Sequence, residues 1–434
     1  MCFSKTKNGL WHQRIEHCYF AAEGAEGIGL MTRGAGGIIC TMSMAPSRRS
    51  QLIARPIPLI TSKILITCPK GIPPFLKQEL LSLNFPVLSE QIAGVETAGT
   101  FDDTLMLNLH IRTGHRVLFL IREFRAKNAD DLYQNLTGLP WENFIPENGY
   151  LCVTSSVENP SIRDSRFANL KCKDAIVDRI KEKCGKRPDS GPERDHTVIH
   201  LYWKDDQCSI YFDTSGEPLS RRGYRKIPLE APMQETLAAA VVLATGWNGN
   251  DSFINPMCGS GTLAIEAALI ALNRSPGLQR SDFGFMHIKG FNELLWRELR
   301  DAAKKEAKKS LTGRIFATDI NPNAVEAARK NATTAGVDHL IDFGVCSFSD
   351  TLVPDGRGVV VMNPAYGARM GESGTLEMMY KGIGDFFKQK CKGYAGYVFT
   401  GNPRLAKRVS LKPKHQWQFF NSNIECRLVE YDLY

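Results

Sequence analysis

The sequence predicts an α/β protein in which a Rossmann-like, doubly wound domain follows a smaller α+β module. From residue 231 onward, apolar helices alternate with short apolar strands, which is the pattern of a parallel sheet covered on both faces. A turn containing Gly259 and Gly261 joins one of these strands to a helix, where doubly wound folds bind their ligands. Strands and helices before residue 221 follow a less regular order, and this favours an α+β arrangement there.

The composition is that of a globular protein with two or three domains. The chain has 434 residues, of which 43% are hydrophobic and 23% are charged. It contains no apolar run near the roughly 18 residues that a membrane span needs, and its cysteines show neither a C-x-x-C pair nor a zinc-type cluster with histidine. We therefore expect a cytoplasmic protein that binds no membrane and no metal. The oligomeric state is left open, with a monomer as the expectation. The net charge of +8 permits a polyanionic partner.

Residues 1–61 differ in composition from the rest of the chain. They are rich in Gly, Ala and Ser without sustained periodicity, and no Asp or Glu occurs from Gly27 to Gln78. We predict that these residues are a poorly structured extension, which is either a disordered tail or the result of a start codon assigned too far upstream. Import into an organelle through this segment is a minor alternative.

Three further units are predicted, at residues 62–125, 126–220 and 221–434. The first reads as a strand, a helix started by proline, and then strand, helix and strand. The second contains an amphipathic helix from residue 165 to 187, with Leu170, Ile176, Val177 and Ile180 expected to face inward. The third is the doubly wound domain, and its insertion at residues 274–314 is expected to cover the sheet edge.

The glycine turn and a nearby carboxylate predict a nucleotide-type ligand. Gly259 and Gly261 allow close approach of a ligand to the backbone, and the helix that begins near Thr262 offers unpaired N–H groups. The next strand ends in Asp319, followed by Asn321 as N-cap and Gly336 as C-cap of a helix. A carboxylate in that place accepts hydrogen bonds from ribose hydroxyls, although an ordinary acidic residue at a helix start is the alternative. The G-x-G-x-x-G fingerprint of dinucleotide sites is absent, so the candidate cofactor is S-adenosylmethionine.

The segment "VVVMNPAYGARM" predicts the reactive end of the site. It is a buried strand that ends in Asn363, Pro364 and Tyr366, at the edge of the sheet where Asp319 also lies. The exocyclic amine of a nucleobase is a poor nucleophile, and two acceptors aimed at its N–H bonds would free its lone pair. The Asn363 side chain and the Pro364 carbonyl are the predicted acceptors, and Tyr366 would stack on the base. A strand-ending turn with a structural tyrosine is the alternative.

Basic residues cluster in two places before the doubly wound domain. The helix between residues 166 and 187 carries eight basic residues against three acidic ones, and such a face can neutralise phosphates or simply be solvated. The segment "SRRGYRK" lies at the junction of the two modules, where it would guide a polyanionic strand inward or form an exposed linker. The candidate residues for phosphate contacts are Lys171, Lys173, Arg179, Arg222 and Arg225.

Several longer motifs resemble the THUMP-domain RNA guanine-N2 methyltransferases, particularly the bacterial large-subunit rRNA enzymes. They are "ANLKCKDAIVDRI", "DTSGEPLSRRGYRK", "APMQETLAAA", "NPMCGSGTLAIEAA", "SPGLQR" and "NPAYGARMGE". The resemblance implies a ferredoxin-like segment at 62–125, a THUMP domain at 126–220 and a Rossmann-like methyltransferase domain at 221–434. It also implies structured RNA as the partner, with 23S rRNA as the expected substrate and tRNA as an open possibility. By this resemblance, the predicted RNA-binding residues are the basic residues Lys171, Lys173, Arg179, Arg222 and Arg225.

The same resemblance assigns residues to the two halves of the site. The target base would meet Asn363, Pro364 and Tyr366. The predicted residues of the S-adenosylmethionine site are Asn255, Pro256, Met257, Cys258, Gly259, Ser260, Gly261, Thr262, Asp319, Ile320 and Ser347. Two departures from the family pattern are that Ala365 replaces the second proline of the usual Asn-Pro-Pro-Tyr motif and that Ser347 stands where an acidic residue is frequent. Methylation of adenine N6 in nucleic acid and a non-catalytic RNA-binding role are the remaining alternatives.

Overall fold

A computed structural model describes residues 61–434 except 228, 230–232 and 367–372. Nearly all of the predicted extension at residues 1–61 therefore lies outside the described residues, as does the end of the segment "NPAYGARM". Among the helices of the described part, none is long and apolar enough to span a membrane.

Residues 61–220 form one eight-stranded sheet with helices packed against it. The strands are β1 (Ser62–Thr67), β2 (Ser89–Gln91), β3 (Gly94–Gly99), β4 (Arg116–Arg125), β5 (Tyr150–Glu158), β6 (Asp189–Ser190), β7 (Thr197–Lys204) and β8 (Gln207–Asp213), and the helices are α1 (Pro73–Ser82), α2 (Phe101–His110), α3 (Ala129–Thr137) and α4 (Ser165–Cys184). The strand order is β2-β3-β1-β4-β8-β7-β5-β6. The antiparallel pairing of β4 with β8 joins the first two predicted units into a single sheet.

The rest of the chain forms a seven-stranded, doubly wound sheet. Its strands are β9 (Ser252–Pro256), β10 (Ile315–Asp319), β11 (Ile341–Val345), β12 (Gly358–Met362), β13 (Tyr394–Thr400), β14 (His415–Asn421) and β15 (Ile424–Asp432), and its helices are α5 (Glu235–Ala244), α6 (Thr262–Ala271), α7 (Glu293–Glu306), α8 (Pro322–Ala335), α9 (Ser373–Lys390) and α10 (Pro403–Ala406). The order is β11-β10-β9-β12-β13-β15-β14. Strands β9 to β13 run parallel and β15 runs antiparallel to β13, which confirms the predicted fold class.

The direction in which the sheet grows reverses between β9 and β12. The chain runs outward from β9 through β10 to β11, and it then returns to place β12 on the other side of β9. In open α/β sheets the ligand crevice lies at such a reversal, beyond the carboxyl ends of the strands. The crevice therefore belongs between the turn that follows β9 and the residues that follow β12.

Strand β12 is apolar throughout because both of its faces are covered. Val359 and Val361 pack into one hydrophobic cluster, and Val360 and Met362 pack into another on the opposite face. Successive side chains of a strand point to opposite faces, and each fully buried side chain of this size contributes about 1.5–3 kcal/mol. The residue that follows this strand is thus delivered to the crevice from a rigid support.

Helix α8 ends where the sequence predicts. The side chain of Asn321 accepts from the N–H of Asn323, Pro322 is the first helical residue, and Gly336 ends the helix with a φ of 69°. The side-chain cap satisfies an N–H that the helix cannot pair. These predictions are confirmed.

For one residue of α4, the prediction that it faces inward is wrong. Ile176, Val177 and Ile180 are buried, but Leu170 is 55% exposed. Ala168 and Cys172 form the inward face at this end of the helix, and a residue two positions from Ala168 lies about 200° around the helix axis from it.

The insertion at residues 274–314 packs against the eight-stranded sheet, whereas the sequence predicts that it covers the edge of the seven-stranded sheet. The N–H of Phe285 donates to the carbonyl of Thr214, and the hydroxyl of Thr197 donates to the carbonyl of His287. Phe285 also contacts Trp296 of α7 with ring centroids 5.0 Å apart. The insertion therefore connects the seven-stranded sheet to the module that precedes it.

Candidate functional site

In the turn after β9, three residues have backbone conformations that residues other than glycine rarely adopt. Met257, Gly259 and Gly261 all have positive φ, at 58°, 55° and 82°. A Cβ at Gly261 would lie 2.9 Å from the Cβ of Ala328 in α8, whereas a Cβ at Gly259 would meet nothing within 4 Å. Gly261 is thus required by close packing as well as by conformation, and Gly259 leaves open space in front of the turn.

Asp319 is hydrogen-bonded to this turn. Its Oδ2 accepts from the N–H of Gly259 at 3.0 Å, and its Oδ1 accepts from the N–H of Asn321 at 2.9 Å. Each carboxylate oxygen can accept a further hydrogen bond. The structure therefore brings Asp319 and the glycine turn together, as the order of the motifs predicts, and leaves the carboxylate able to bind a hydroxyl.

The neighbouring strand ends continue this surface. Ile320 follows Asp319 and is 74% exposed, which is unusual for a large apolar side chain next to a buried strand. Beyond β11, the N–H of Cys346 donates to the carbonyl of Asp319 at 3.1 Å, and Ser347 is the residue after Cys346. The predicted residues Ile320 and Ser347 are therefore each next in sequence to a residue of this contact.

Cys258 and Thr262 complete the turn on its buried side. Burial raises the pKa of the Cys258 thiol, and a protonated thiol is neither a nucleophile nor a metal ligand. Thr262 is buried and begins α6, while Ser260 is also largely buried. In the described part of the chain, no group of three or more His, Cys, Asp or Glu side chains is arranged to hold a metal ion.

Asn255 forms a side-chain hydrogen bond across the point at which β9 and β12 diverge. The ladder between these strands reaches Val360 paired with Ile254, and the Nδ2 of Asn255 then donates to the carbonyl of Val361 at 2.8 Å. Asn255 is fully buried, and its Oδ1 has no hydrogen-bond partner among the described residues. Its neighbour Pro256 is the last residue of β9 and is also buried. Because an unsatisfied buried acceptor costs free energy, this side chain calls for a functional explanation.

Asn363 presents a second acceptor of the same kind. It follows Met362 directly, and its Oδ1 is buried without a partner in the part of the chain that the structure describes. Pro364 is buried behind it. Within the described part of the chain, two amide oxygens without partners therefore occur where β9 and β12 separate, which is the predicted position for an acceptor.

Tyr366 is fixed by residues that the sequence did not suggest. Its hydroxyl accepts from Nδ2 of Asn421 at 3.1 Å and lies 3.7 Å from Sγ of Cys426. A Cβ at Gly401 would lie 2.7 Å from the ring, so the ring packs on that glycine. Burial raises the pKa of Tyr366 to about 12. The ring orientation is therefore set by the β14–β15 hairpin, and no local sequence signal links these residues.

The predicted RNA-binding residues of α4 are accessible to different degrees. Lys171 lies over the rings of Tyr133 and Phe167 at 5.9 and 6.0 Å. The ammonium of Lys173 lies 2.7 Å from the carboxylate of Asp174. Arg179 donates to Glu142 through two nitrogens, and these bonds lower the pKa of Glu142. All three side chains are partly exposed, at 34%, 22% and 21%, and each lies near a carboxylate.

Arg222 corrects the prediction for the junction. It is 1% exposed, and its Nε donates to Oε1 of Glu266 at 2.8 Å. Its other nitrogens donate to the carbonyls of Leu219 and Arg112. A buried guanidinium needs such partners because an unpaired buried charge is costly. Arg222 is therefore a structural residue of the interface between the modules and does not reach RNA.

Arg225 also points mostly inward, with 15% of its side chain exposed, and its contact with RNA stays a prediction. Its Nη2 donates to the carbonyl of Met233 at 2.6 Å and to Oγ1 of Thr262 at 3.1 Å. Its Nε lies 3.3 Å from Oε1 of Glu235 without hydrogen-bond geometry. Arg225 thus contacts the first residue of α6, at the end of the glycine turn.

Three family models match the chain in succession. They are the RlmL ferredoxin-like domain at residues 63–118, the THUMP domain at residues 126–213 and the RMKL-like methyltransferase domain at residues 222–430. The structure of SMU.472, a putative methyltransferase complexed with SAH, is 27% identical and has a TM-score of 0.78, covering 86% of this chain and 98% of that one.

Two curated relatives extend over most of the chain. The ribosomal RNA large subunit methyltransferase K/L of Syntrophotalea carbinolica is 37% identical over 381 residues, which are 86% of this chain and 53% of that protein. The chain thus spans about half the length of the K/L relatives that it matches. A putative RNA methyltransferase of Synechocystis sp. is 32% identical over 374 residues, 86% of this chain and 97% of that protein. The resemblance predicted from the motifs is confirmed, and the chain belongs to the family of THUMP-domain RNA methyltransferases.

Proposed function

We propose that this chain transfers a methyl group from S-adenosylmethionine to the N2 amine of a guanosine in structured RNA, with 23S rRNA as the expected substrate. The observation that carries this proposal is the buried Oδ1 of Asn363 at the end of β12, which has no hydrogen-bond partner among the residues that the structure describes. An acceptor held in place without an internal partner is suited to a donor that arrives with the substrate.

The cofactor half of the crevice fits S-adenosylmethionine. Gly259 leaves the front of the turn open, Asp319 has acceptor capacity for ribose hydroxyls, and Ile320 offers an exposed apolar surface for an adenine ring. The turn lacks the pyrophosphate fingerprint, which agrees with a ligand that has no phosphate. When bound, S-adenosylmethionine supplies an electrophilic methyl group. The SAH bound to SMU.472, whose structure is similar over most of this chain, supports this choice.

The target half of the crevice would bind an exocyclic amine. In this proposal the Oδ1 of Asn363 accepts one N–H of the amine and the carbonyl of Pro364 accepts the other. These hydrogen bonds favour a pyramidal nitrogen with a free lone pair, and they strengthen as positive charge develops on that nitrogen. Asn255 Oδ1 lies at the same strand separation and adds negative potential there.

Tyr366 would form a wall of the base site. Since its hydroxyl is bonded to Asn421 and its ring packs on Gly401, the ring has one defined orientation. An aromatic ring fixed in this way can stack on a base without losing much conformational freedom on binding. Its pKa, raised to about 12, keeps the hydroxyl protonated near neutral pH, so we assign it positioning and not proton abstraction.

RNA would be held by the module that precedes the catalytic sheet. Lys171 and Lys173 of α4 are partly exposed, and in this proposal they contact phosphates. A paired guanine would have to leave its helix to reach Asn363, so an unpaired or easily opened nucleotide is the expected target.

The proposal is tested by identifying the methylated nucleoside. Purified protein and S-adenosylmethionine with an isotopically labelled methyl group would be incubated with rRNA and with tRNA from a strain that lacks the gene. Digested nucleosides would then be separated and identified by mass spectrometry. We expect labelled N2-methylguanosine from 23S rRNA only.

Each other outcome overturns a defined part of the proposal. Labelled N6-methyladenosine would show that the amine belongs to adenine. Label confined to tRNA would exclude 23S rRNA as the substrate. Failure of the protein to bind S-adenosylhomocysteine in a calorimetric titration would remove the catalytic function altogether.

A further inference from the structure

Asn331 is a fully buried polar residue on an otherwise alanine-lined face of α8. Ala328, Ala332 and Ala335 are buried beside it. Ala328 is the residue against which Gly261 packs, and Asn331 lies one turn further along the same helix face. The helix therefore supports the glycine turn at two neighbouring positions, one by close packing and one by hydrogen bonds.

The side chain of Asn331 connects two segments that are distant in sequence. Its Oδ1 accepts from the N–H of Lys226 at 2.9 Å and from the N–H of Ile227 at 3.2 Å. Its Nδ2 donates to the carbonyl of Ser260 at 3.2 Å and to the carbonyl of Ile227 at 3.3 Å. One amide thus joins the linker that leaves the RNA-binding module to the centre of the glycine turn.

The bond to Ser260 fixes a peptide plane in the turn. Because the peptide unit is planar, holding the carbonyl of Ser260 also orients the N–H of Gly261. That N–H donates to the carbonyl of Cys258 at 2.9 Å. The peptide between Ser260 and Gly261 is therefore held from both sides, by α8 and by the turn itself.

Arg225 makes a second connection of the same kind. Its Nη2 donates to Oγ1 of Thr262, the first residue of α6, and Arg225 precedes Lys226 in the same linker. Two successive linker residues therefore contact the turn, one directly and one through Asn331. Neither contact is used by the steps assigned to Asn363 or Tyr366.

We propose that Asn331 is a positioning residue for cofactor binding, which holds the glycine turn in its binding shape by tying it to the linker of the RNA-binding module. The inference rests on the proposed use of the turn for S-adenosylmethionine. It assigns to Asn331 an effect on cofactor affinity that is separate from its contribution to stability.

The test compares two buried asparagines, of which one donates a hydrogen bond to the glycine turn and the other donates only to residues outside it. Asn331→Asp keeps an oxygen that can accept from the linker but replaces the donor to Ser260. Asn108→Asp is the matched control: Asn108 is 1% exposed and its Nδ2 donates to Thr214 and Thr104, away from the turn. The affinity for S-adenosylhomocysteine would be measured by calorimetry and the unfolding midpoint by circular dichroism. Asn331→Ser and Asn108→Ser provide a second pair if an aspartate variant does not fold.

We expect Asn331→Asp to weaken S-adenosylhomocysteine binding about tenfold or more, and Asn108→Asp to lower the unfolding midpoint with cofactor affinity unchanged. Equal affinity in the wild type and in Asn331→Asp would overturn the inference while leaving the proposed function intact. Equal losses of affinity in both variants would also overturn it, because the effect would then follow stability alone. Absence of binding by the wild type would instead contradict the proposed function.

Discussion

The two halves of the crevice are built in different ways. On the cofactor side the polar groups are bonded to one another: the N–H of Gly259 to Asp319, the N–H of Cys258 to the carbonyl of Thr318, and Asn331 to Ser260. On the proposed target side, Asn255 and Asn363 each have a buried amide oxygen for which the described residues provide no hydrogen-bond partner. The comparison suggests that the first half is preorganised by internal hydrogen bonds, whereas the second keeps its acceptors for the substrate.

The largest expected effect comes from removing the acceptor on the target side. Asn363→Ala should lower the rate of methyl transfer by roughly 10²–10³-fold, which is the usual loss when one preorganised polar group is removed from a transition-state site. Single-turnover methylation of RNA at saturating S-adenosylmethionine would measure it. A fully active variant would contradict the role given to this amide.

The corresponding change on the cofactor side should act on binding. Asp319→Asn weakens the charge-assisted hydrogen bond from Gly259, and such bonds contribute about 1.5–3 kcal/mol. We expect the affinity for S-adenosylhomocysteine to fall by roughly 10–100-fold, with the single-turnover rate at saturating cofactor much less affected. Calorimetric titration would measure the affinity. An unchanged dissociation constant would show that this carboxylate does not shape the site.

The two glycines of the turn provide a comparison within the cofactor side. Gly261→Ala combines a positive φ with a Cβ 2.9 Å from that of Ala328, whereas Gly259→Ala meets only the conformational strain. Strain alone costs about 1–2 kcal/mol, and overpacking adds about 1–3 kcal/mol. Urea unfolding should therefore show a larger loss of stability for Gly261→Ala. Equal losses would mean that the contact with α8 relaxes without cost.

The smallest effect is expected at the hydroxyl of Tyr366. Tyr366→Phe keeps the ring on Gly401 but removes the hydrogen bond with Asn421, which contributes about 0.5–1.5 kcal/mol to stability. The methylation rate should change only a few-fold. Tyr366→Ala, which removes the ring, should lower the rate much more. Similar rates in both variants would argue against stacking.

The raised pKa of Tyr366 also has a consequence for stability at alkaline pH. The folded protein keeps the phenol neutral up to about pH 12, while the unfolded chain ionises at its ordinary value near 10. This group therefore reduces the free energy of unfolding as the pH rises from about 10 to 12 and has no effect near neutrality. In urea titrations, Tyr366→Phe should show a smaller alkaline loss of stability than the wild type. Parallel losses in the two proteins would contradict the burial of this hydroxyl.

Local features of the fold were predictable from sequence. The caps at Asn321 and Gly336, the start of α6 at Thr262 and the strand end at Asp319 all follow from residues that act on their immediate neighbours. The alternation of elements was sufficient to predict the doubly wound sheet. Each of these predictions depends on short-range chemistry or on periodicity.

Features that depend on distant partners were not predictable. The charges of "SRRGYRK" are visible in the sequence, but Glu266, the buried carboxylate partner of Arg222, lies 44 positions from it. The partners of Tyr366 come from a hairpin more than 50 residues later. Asn331 is a polar residue among alanines on the inward face of α8, which is a weak signal in the sequence, but its partners Lys226, Ile227 and Ser260 become neighbours only in the folded chain.

The division of the crevice is tested most directly by calorimetric titration of S-adenosylhomocysteine into Asn363→Ala, with Asp319→Asn as the comparison. We expect Asn363→Ala to bind with the dissociation constant of the wild type, while Asp319→Asn binds more weakly. Weakened binding by Asn363→Ala to the same degree as Asp319→Asn would contradict the account, because the two halves of the crevice would then act as one.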